Sequence, residues 1–401
     1  MAVWVLWKVS VYLSVKIRKP SQLVFILLVL LFLIPVLWVI GTFPGGVVGL
    51  ADRLPGSASG ESRFDLAVNT ARLIGDYPFT GGGLRSFPGL YSQYIMVTPY
   101  FLFSYSHNLY LDIFLEQGLL GGIAILAVVL GGAWMLIRRA REAREDSLIT
   151  YFAEAVLVGI LIMLLHGMVD DPLYGDTGTP LLLLLPALAI MLVNTENPPL
   201  TMTDQSQGTG YPSKDSRIRR IVIPGIVLIV FFSVIATFQR SLFAIWYSNL
   251  GAVEMSRIEL MNWPINKWND NPDVSPLIKA ENLFYTTLIY NPNQRTARHR
   301  LGLVAMQERD FIRAQYELER AYEIDPEHRG IRKALGYTYV WMGNLNDAAM
   351  MLIGVHEAES EMEIYSWWWR DRERQDLSAQ ATEMARLLHN NNLSNLDAGD
   401  D

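Results

Sequence analysis

The chain has 401 residues, 51% of them hydrophobic, a formal net charge of -7 and no cysteine. The acidic balance argues against nucleic acid as a partner, and the missing thiols exclude disulfides and thiolate metal sites. Hydrophobicity is unevenly placed: the last third is charged and holds no apolar run long enough to cross a bilayer, so the sequence divides into a membrane part and a soluble part.

Residues Met1 to Tyr12 are apolar, with Trp4 and Trp7, and read as an interfacial helix or as the tail of a further span. Crossing a hydrocarbon core of roughly 30 Å takes about 20 mostly apolar helical residues. Five segments approach that length: Leu23–Ile40, Leu109–Ile137, Leu148–Val169, Pro180–Val193 and Ile221–Phe238. The first lacks an Ala-x-Ala-like cleavage site and reads as an uncleaved helix. Basic residues near helix ends stay on the cytoplasmic side. Lys16, Arg18 and Lys19, then Arg138, Arg139, Arg141 and Arg144, then Lys214, Arg217, Arg219 and Arg220 all satisfy that rule together. The main loop before Leu109, the loop Asp170–Asp176 and everything after Arg240 are then extracytoplasmic.

The expected fold is all-α: a polytopic helical membrane domain of about five spans, followed by an extracytoplasmic domain of tetratricopeptide type. The expected division is 1–41 for the N-terminal segment and first span, 42–108 for the main outer loop, and 109–193 for three spans. It continues with 194–220 for a Pro-, Ser- and Gly-rich cytoplasmic linker, 221–238 for the fifth span, 239–389 for the repeat domain and 390–401 for a disordered tail. The repeat is read from spacing. Gly302, Ala314, Leu318, Ala321 and Pro326 recur about 34 residues later as Gly336, Ala348, Leu352 and Val355, with Ser360 in place of the proline. One period earlier stand Ala280, Phe284 and Pro292. Small residues let paired helices approach closely, and the stack is expected to lean on helices over Phe243–Met261 and Met384–Leu388. Such arrays offer a concave surface to a protein, peptide or glycan partner.

Chemistry concentrates in the outer loop. His107, in Tyr105-Ser106-His107-Asn108-Leu109, places an ionisable imidazole at the mouth of a hydrophobic segment. Upstream stand Arg63, Arg72, the turn Pro78-Phe79-Thr80-Gly81-Gly82-Gly83 and Arg85, and downstream Glu116-Gln117-Gly118-Leu119-Leu120-Gly121. These elements, in this order between Arg63 and Asp170, resemble the O-antigen ligase and polymerase family. The resemblance implies a metal- and cofactor-independent membrane glycosyltransferase whose donor is a polyprenyl-pyrophosphate-linked glycan.

On that reading Arg63 supplies a guanidinium fork for phosphate oxygens. His107 is the general base that takes the proton of an acceptor hydroxyl; an unperturbed histidine titrates near about 6.5. Gly81 and Gly83 allow close approach to a ligand, Asn108 and Tyr105 flank the base, and Arg72 and Arg85 are further candidates for the phosphate site. Each has a plainer counterpart: His107 as a helix cap, Arg63 paired with Glu61 or Asp65, Arg72 and Arg85 on the surface, and the tyrosines as an interfacial belt. Gly118, Gly121 and Gly122 read as helix packing. His166 and Asp170, at i and i+4, share a helical face and either tune the first site or cap each other.

The family has about twice as many spans and a further basic residue ahead of them. The expectation is therefore a half-enzyme completed by a separate N-terminal protein. The alternative is a non-catalytic membrane-anchored scaffold whose repeats recruit a partner for envelope glycan assembly.

Overall fold

The computed structural model describes residues 63–95, 104–142, 148–170, 174, 179–194, 214–261, 275–355 and 357–397. Among these residues every regular element is helical and none is a strand, as the candidate spans and the repeat spacing implied. The segments Met1–Tyr12 and Leu23–Ile40 lie outside the described residues.

The segment ahead of the apolar helices contributes α1 (Arg63–Ile74) and α2 (Phe87–Ile95). Three apolar helices follow: α3 (Leu109–Glu142), α4 (Leu148–His166) and α5 (Thr179–Asn194). They share a core that includes Leu109, Ile113, Val129, Leu136, Ile160, Met163, Leu182 and Ala189. Among the described residues only α3, over Leu109–Arg138, is long and apolar enough to cross a membrane; the apolar stretches Tyr151–His166 and Leu182–Leu192 are shorter.

The span expected at Leu109–Ile137 falls on α3, which is two helices joined at Gly118, whose φ of 68° and ψ of -176° break the helical path. Before the break Asp112, Ile113, Leu115 and Glu116 are buried; after it Leu119, Leu120, Ile123, Val128, Leu130 and Trp134 are exposed. The outward-facing apolar helix therefore starts at Leu119. At about 1.5 Å per residue, Leu119 to Arg138 still matches a hydrocarbon core of roughly 30 Å.

Helix α6 runs unbroken from Lys214 to Leu260, 47 residues. It crosses both the expected end of the linker and the boundary expected at 238/239. Its distal half joins the C-terminal helices α7 (Ile278–Tyr290), α8 (Arg295–Gln307), α9 (Phe311–Ile324), α10 (Arg329–Trp341), α11 (Leu345–Leu352), α12 (Ala358–Asp371) and α13 (Gln375–Asp397). These pack as consecutive pairs, α6 with α7, α8 with α9, α10 with α11 and α12 with α13. Close approach explains the small residues: a Cβ on Gly251, Gly302 or Gly336 would lie 2.6, 2.5 or 2.6 Å from Phe284, Leu318 or Leu352. In the fourth pair, which the spacing did not reveal, Ser366 Oγ and Thr382 Oγ1 hydrogen-bond at 2.6 Å across the corresponding crossing.

The supports expected at both ends of the array are present. Met255 joins the core of Ala280, Phe284, Ala297 and Leu301, and Met384 and Leu388 join that of Tyr337, Trp341 and Leu352. The tail expected to be disordered from Asn390 instead continues α13 to Asp397. A further core made of Leu66, Leu73, Tyr77, Phe87, Leu90, Tyr91, Leu115 and Ala252 packs α1 and α2 against both α3 and α6.

Candidate active site

The site is assembled on the turn that ends α4. A helix end leaves carbonyls without partners inside the helix, and here the starts of α1 and α3 satisfy the next ones along. Gly167 O accepts from Leu109 N at 2.8 Å, Met168 O from Asn108 Nδ2 at 3.1 Å, and Val169 O from Arg63 Nη1 at 2.8 Å. Asp170 completes the set, its Oδ1 lying 3.0 Å from His107 Nδ1. One turn thus gathers Arg63, His107, Asn108 and Asp170.

His107 sits at φ 57°, a left-handed conformation uncommon for a non-glycine residue. Its neighbours impose it. Asn108 Oδ1 accepts from Tyr110 N and Leu111 N, both at 3.1 Å, and so caps the following helix. On the other side the Ser106 amide donates to both oxygens of the buried Asp112, at 3.0 and 3.1 Å. Tyr105 meets the imidazole edge-on, with ring centroids 4.5 Å apart. The His107 side chain is 18% exposed, against 34% for Asp170, so the ring is held yet reachable. An imidazole that donates Nδ1–H to a carboxylate presents the Nε2 lone pair as a proton acceptor. Beside this cluster lie the exposed apolar side chains of Phe64, Leu165, Met168 and Val169.

Other candidate residues lie elsewhere. His166 contributes its backbone carbonyl, which accepts from Val169 N and Asp170 N at 2.9 Å, while its ring is exposed; Asp170 pairs with His107, not with His166. Arg72, at the opposite end of α1 from Arg63, donates to Glu327 O and lies 3.8 Å from Asp325. Arg85 is exposed at φ 60°. The glycine turn packs against the backbone of α3. Gly82 N and Gly83 N donate to Leu115 O and Glu116 O at 2.8 and 3.0 Å, and Leu119 N donates back to Pro78 O at 2.9 Å. A Cβ on Gly81 would lie 2.3 Å from Glu116 O, and one on Gly118 2.4 Å from Phe79 O. The crossing of two backbones thus requires a glycine at position 81, and Gly118 is its counterpart across that crossing, not a helix-packing glycine. Gly83, at φ 107°, faces open space.

Three polar residues were not singled out in the sequence. Asp112 fixes Ser106. Asn249 of α6 accepts from Phe79 N at 3.0 Å and donates to Thr80 Oγ1 at 2.9 Å, tying the turn to the long helix. Asp76 anchors the loop to the C-terminal array. Only Asp112, six residues past Ser106, carried a local signal as a carboxylate in the first turn of a helix. Among the described residues no cluster of side chains has the makings of a metal site.

No curated protein matches the chain. A family model described as O-antigen ligase matches residues 1–126. That stretch takes in Arg63, the glycine turn and His107, and ends beyond the Gly118 break. Over those residues the chain is similar to the O-antigen ligases, a family of membrane proteins of glycan assembly.

Proposed function

We propose that the chain is a membrane glycosyltransferase of the O-antigen ligase type, which transfers a polyprenyl-pyrophosphate-linked glycan to an acceptor hydroxyl. The observation that carries this reading is the convergence of Arg63, His107 and Asp170 on the turn Gly167–Asp170. In the reaction the acceptor oxygen attacks the anomeric carbon of the donor, with inversion, as the carbon–oxygen bond to pyrophosphate breaks. His107 Nε2 takes the hydroxyl proton. Asp170 holds the tautomer that makes this possible and stabilises the imidazolium, as a carboxylate does for a catalytic histidine. The polyprenyl pyrophosphate leaves as an anion, and Arg63, always protonated and rich in donors, neutralises the departing oxygens. The apolar rim of Phe64, Leu165, Met168 and Val169 suits a donor that arrives on a lipid.

In this reading the chain is multi-pass, with the outer loop and the C-terminal helices extracytoplasmic. The basic clusters at Arg138–Arg144 and Lys214–Arg220 support that orientation. The pairs α8/α9 and α10/α11, with Gly302 against Leu318 and Gly336 against Leu352, support an array of tetratricopeptide type that offers a surface to a protein or glycan partner.

Glycan transfer measured after His107→Ala and after Arg63→Ala tests the assignment. Loss in both is expected. Full activity in both would leave a membrane-anchored scaffold as the better account, supported if residues 240–401 then capture glycan-assembly proteins.

A further inference from the structure

Helix α1 carries Arg63 at one end and is clamped at the other by the C-terminal array. The clamp is built on Asp76, whose side chain is fully buried. Its carboxylate accepts from Arg295 Nη2 at 2.8 Å, from Thr296 Oγ1 at 2.5 Å and from Arg300 Nη2 at 3.4 Å. Arg295 also donates to Arg72 O at 3.3 Å, capping the C-terminus of α1 with a cation where the helix dipole is negative. Arg300 donates to Tyr77 Oη at 2.9 Å and lies over the Tyr77 ring at 5.7 Å, while the Tyr77 hydroxyl also meets Ser256 of α6. Arg72 reaches Glu327 and Asp325 beyond α9. At the far end of α1, Arg63 meets the chain that carries Asp170 through its bond to Val169 O.

We propose that Asp76 is a positioning residue for Arg63, and that through it the C-terminal helical array forms part of the transfer site instead of being a tethered recruiting module. A 12-residue helix is a rigid strut. With one end fixed by buried charged groups, the guanidinium at the other is held against the Gly167–Asp170 turn before substrate arrives. Misplacement by about 1 Å costs up to about a hundredfold in rate, so the clamp matters to the chemistry. This rests on the role given to Arg63 above, but its geometric half is tested independently of activity.

The chain has no cysteine, so Phe64→Cys with Met168→Cys creates a unique pair of labelling sites, both exposed at 50% and 61%. Nitroxides at these positions in the full chain report the separation of α1 from the catalytic turn through their dipolar coupling. Asp76→Asn is expected to weaken and broaden that coupling. Thr296→Val, which removes a single donor, is expected to do so to a smaller degree and decides the matter if Asp76→Asn fails to fold. Coupling unchanged in the folded variant overturns the proposal.

Transfer supplies the second arm. Asp76→Asn should reduce it between about tenfold and a hundredfold when Arg63 is present, and much less in an Arg63→Lys background, where the fork it positions is gone. Equal losses in both backgrounds would make Asp76 merely structural. If neither Arg63→Ala nor Arg63→Lys alters transfer, the role of Arg63 falls while the coupling result still judges the strut.

Discussion

His107 occupies a backbone conformation that costs on the order of 1–3 kcal/mol, held by the Asn108 cap on one side and the Ser106–Asp112 bond on the other. Strain retained beside a hydrogen-bonded carboxylate is what the proposed preorganised base requires. Asp170→Asn is expected to lower the turnover number for glycan transfer while leaving donor KM in place, because the amide no longer fixes the Nδ1–H tautomer. The loss should stay below the roughly 10²- to 10⁴-fold that general-base catalysis supplies. Steady-state kinetics in membranes checks it, and a change confined to KM would place Asp170 in donor binding instead. Arg63 and His107 were legible as residue types in an ordered motif. The Asp170 pairing was not, because α4 ends at His166 and the side chains beyond it no longer follow one helical face.

At the scale of elements, the Gly118 break and the glycine turn form one unit. Gly118→Ala places a Cβ 2.4 Å from Phe79 O at a φ of 68°, so it should lose about 1–3 kcal/mol to backbone strain alone and more to the clash. Thermal unfolding in detergent should show the midpoint falling well below that of Gly131→Ala, where a Cβ meets open space within α3. Equal midpoints would contradict the close backbone crossing. In the array, Leu318→Ala removes a fully buried side chain packed on Gly302 and should destabilise by about 2–5 kcal/mol, read from denaturant unfolding. Two helix pairs were visible in the sequence because glycine and leucine recur at fixed spacing. The fourth was hidden because Ser366 and Thr382 meet through a hydrogen bond instead. The break at Gly118 was hidden for another reason: hydropathy registers side chains, and nothing in an apolar run marks a backbone that turns.

Across the whole molecule, the contacts that join residues 72–77 to residues 295–328 link segments more than two hundred residues apart, and no local pattern announces them. His299 and His328 pack behind this junction with ring centroids 5.3 Å apart. Burial, then the neighbouring His328, Arg300 and Arg295, hold His299 well below the usual imidazole range. Burial and then Arg295 push His328 down to about 3, against a pull upward from Asp76. Both are neutral when folded but take a proton near pH 6.5 when unfolded. Stability is therefore fully present above about pH 6.5 and falls as the pH drops toward about 3, by up to about 1.4 kcal/mol per pH unit for each histidine. His328→Asn, which can still cap α10 as the His328 side chain does for Ile331 N, should flatten the dependence between pH 7 and pH 5. Unfolding midpoints of the full chain at those two values check it; parallel slopes would contradict it.

The imidazole at position 107 carries the proposed chemistry most directly. With wild-type and His107→Ala protein at equal abundance in membranes and saturating polyprenyl-pyrophosphate-linked glycan, the rate of transfer to the acceptor is the deciding measurement. A fall of at least about a hundredfold is predicted, and an undiminished rate would contradict the assignment of this site.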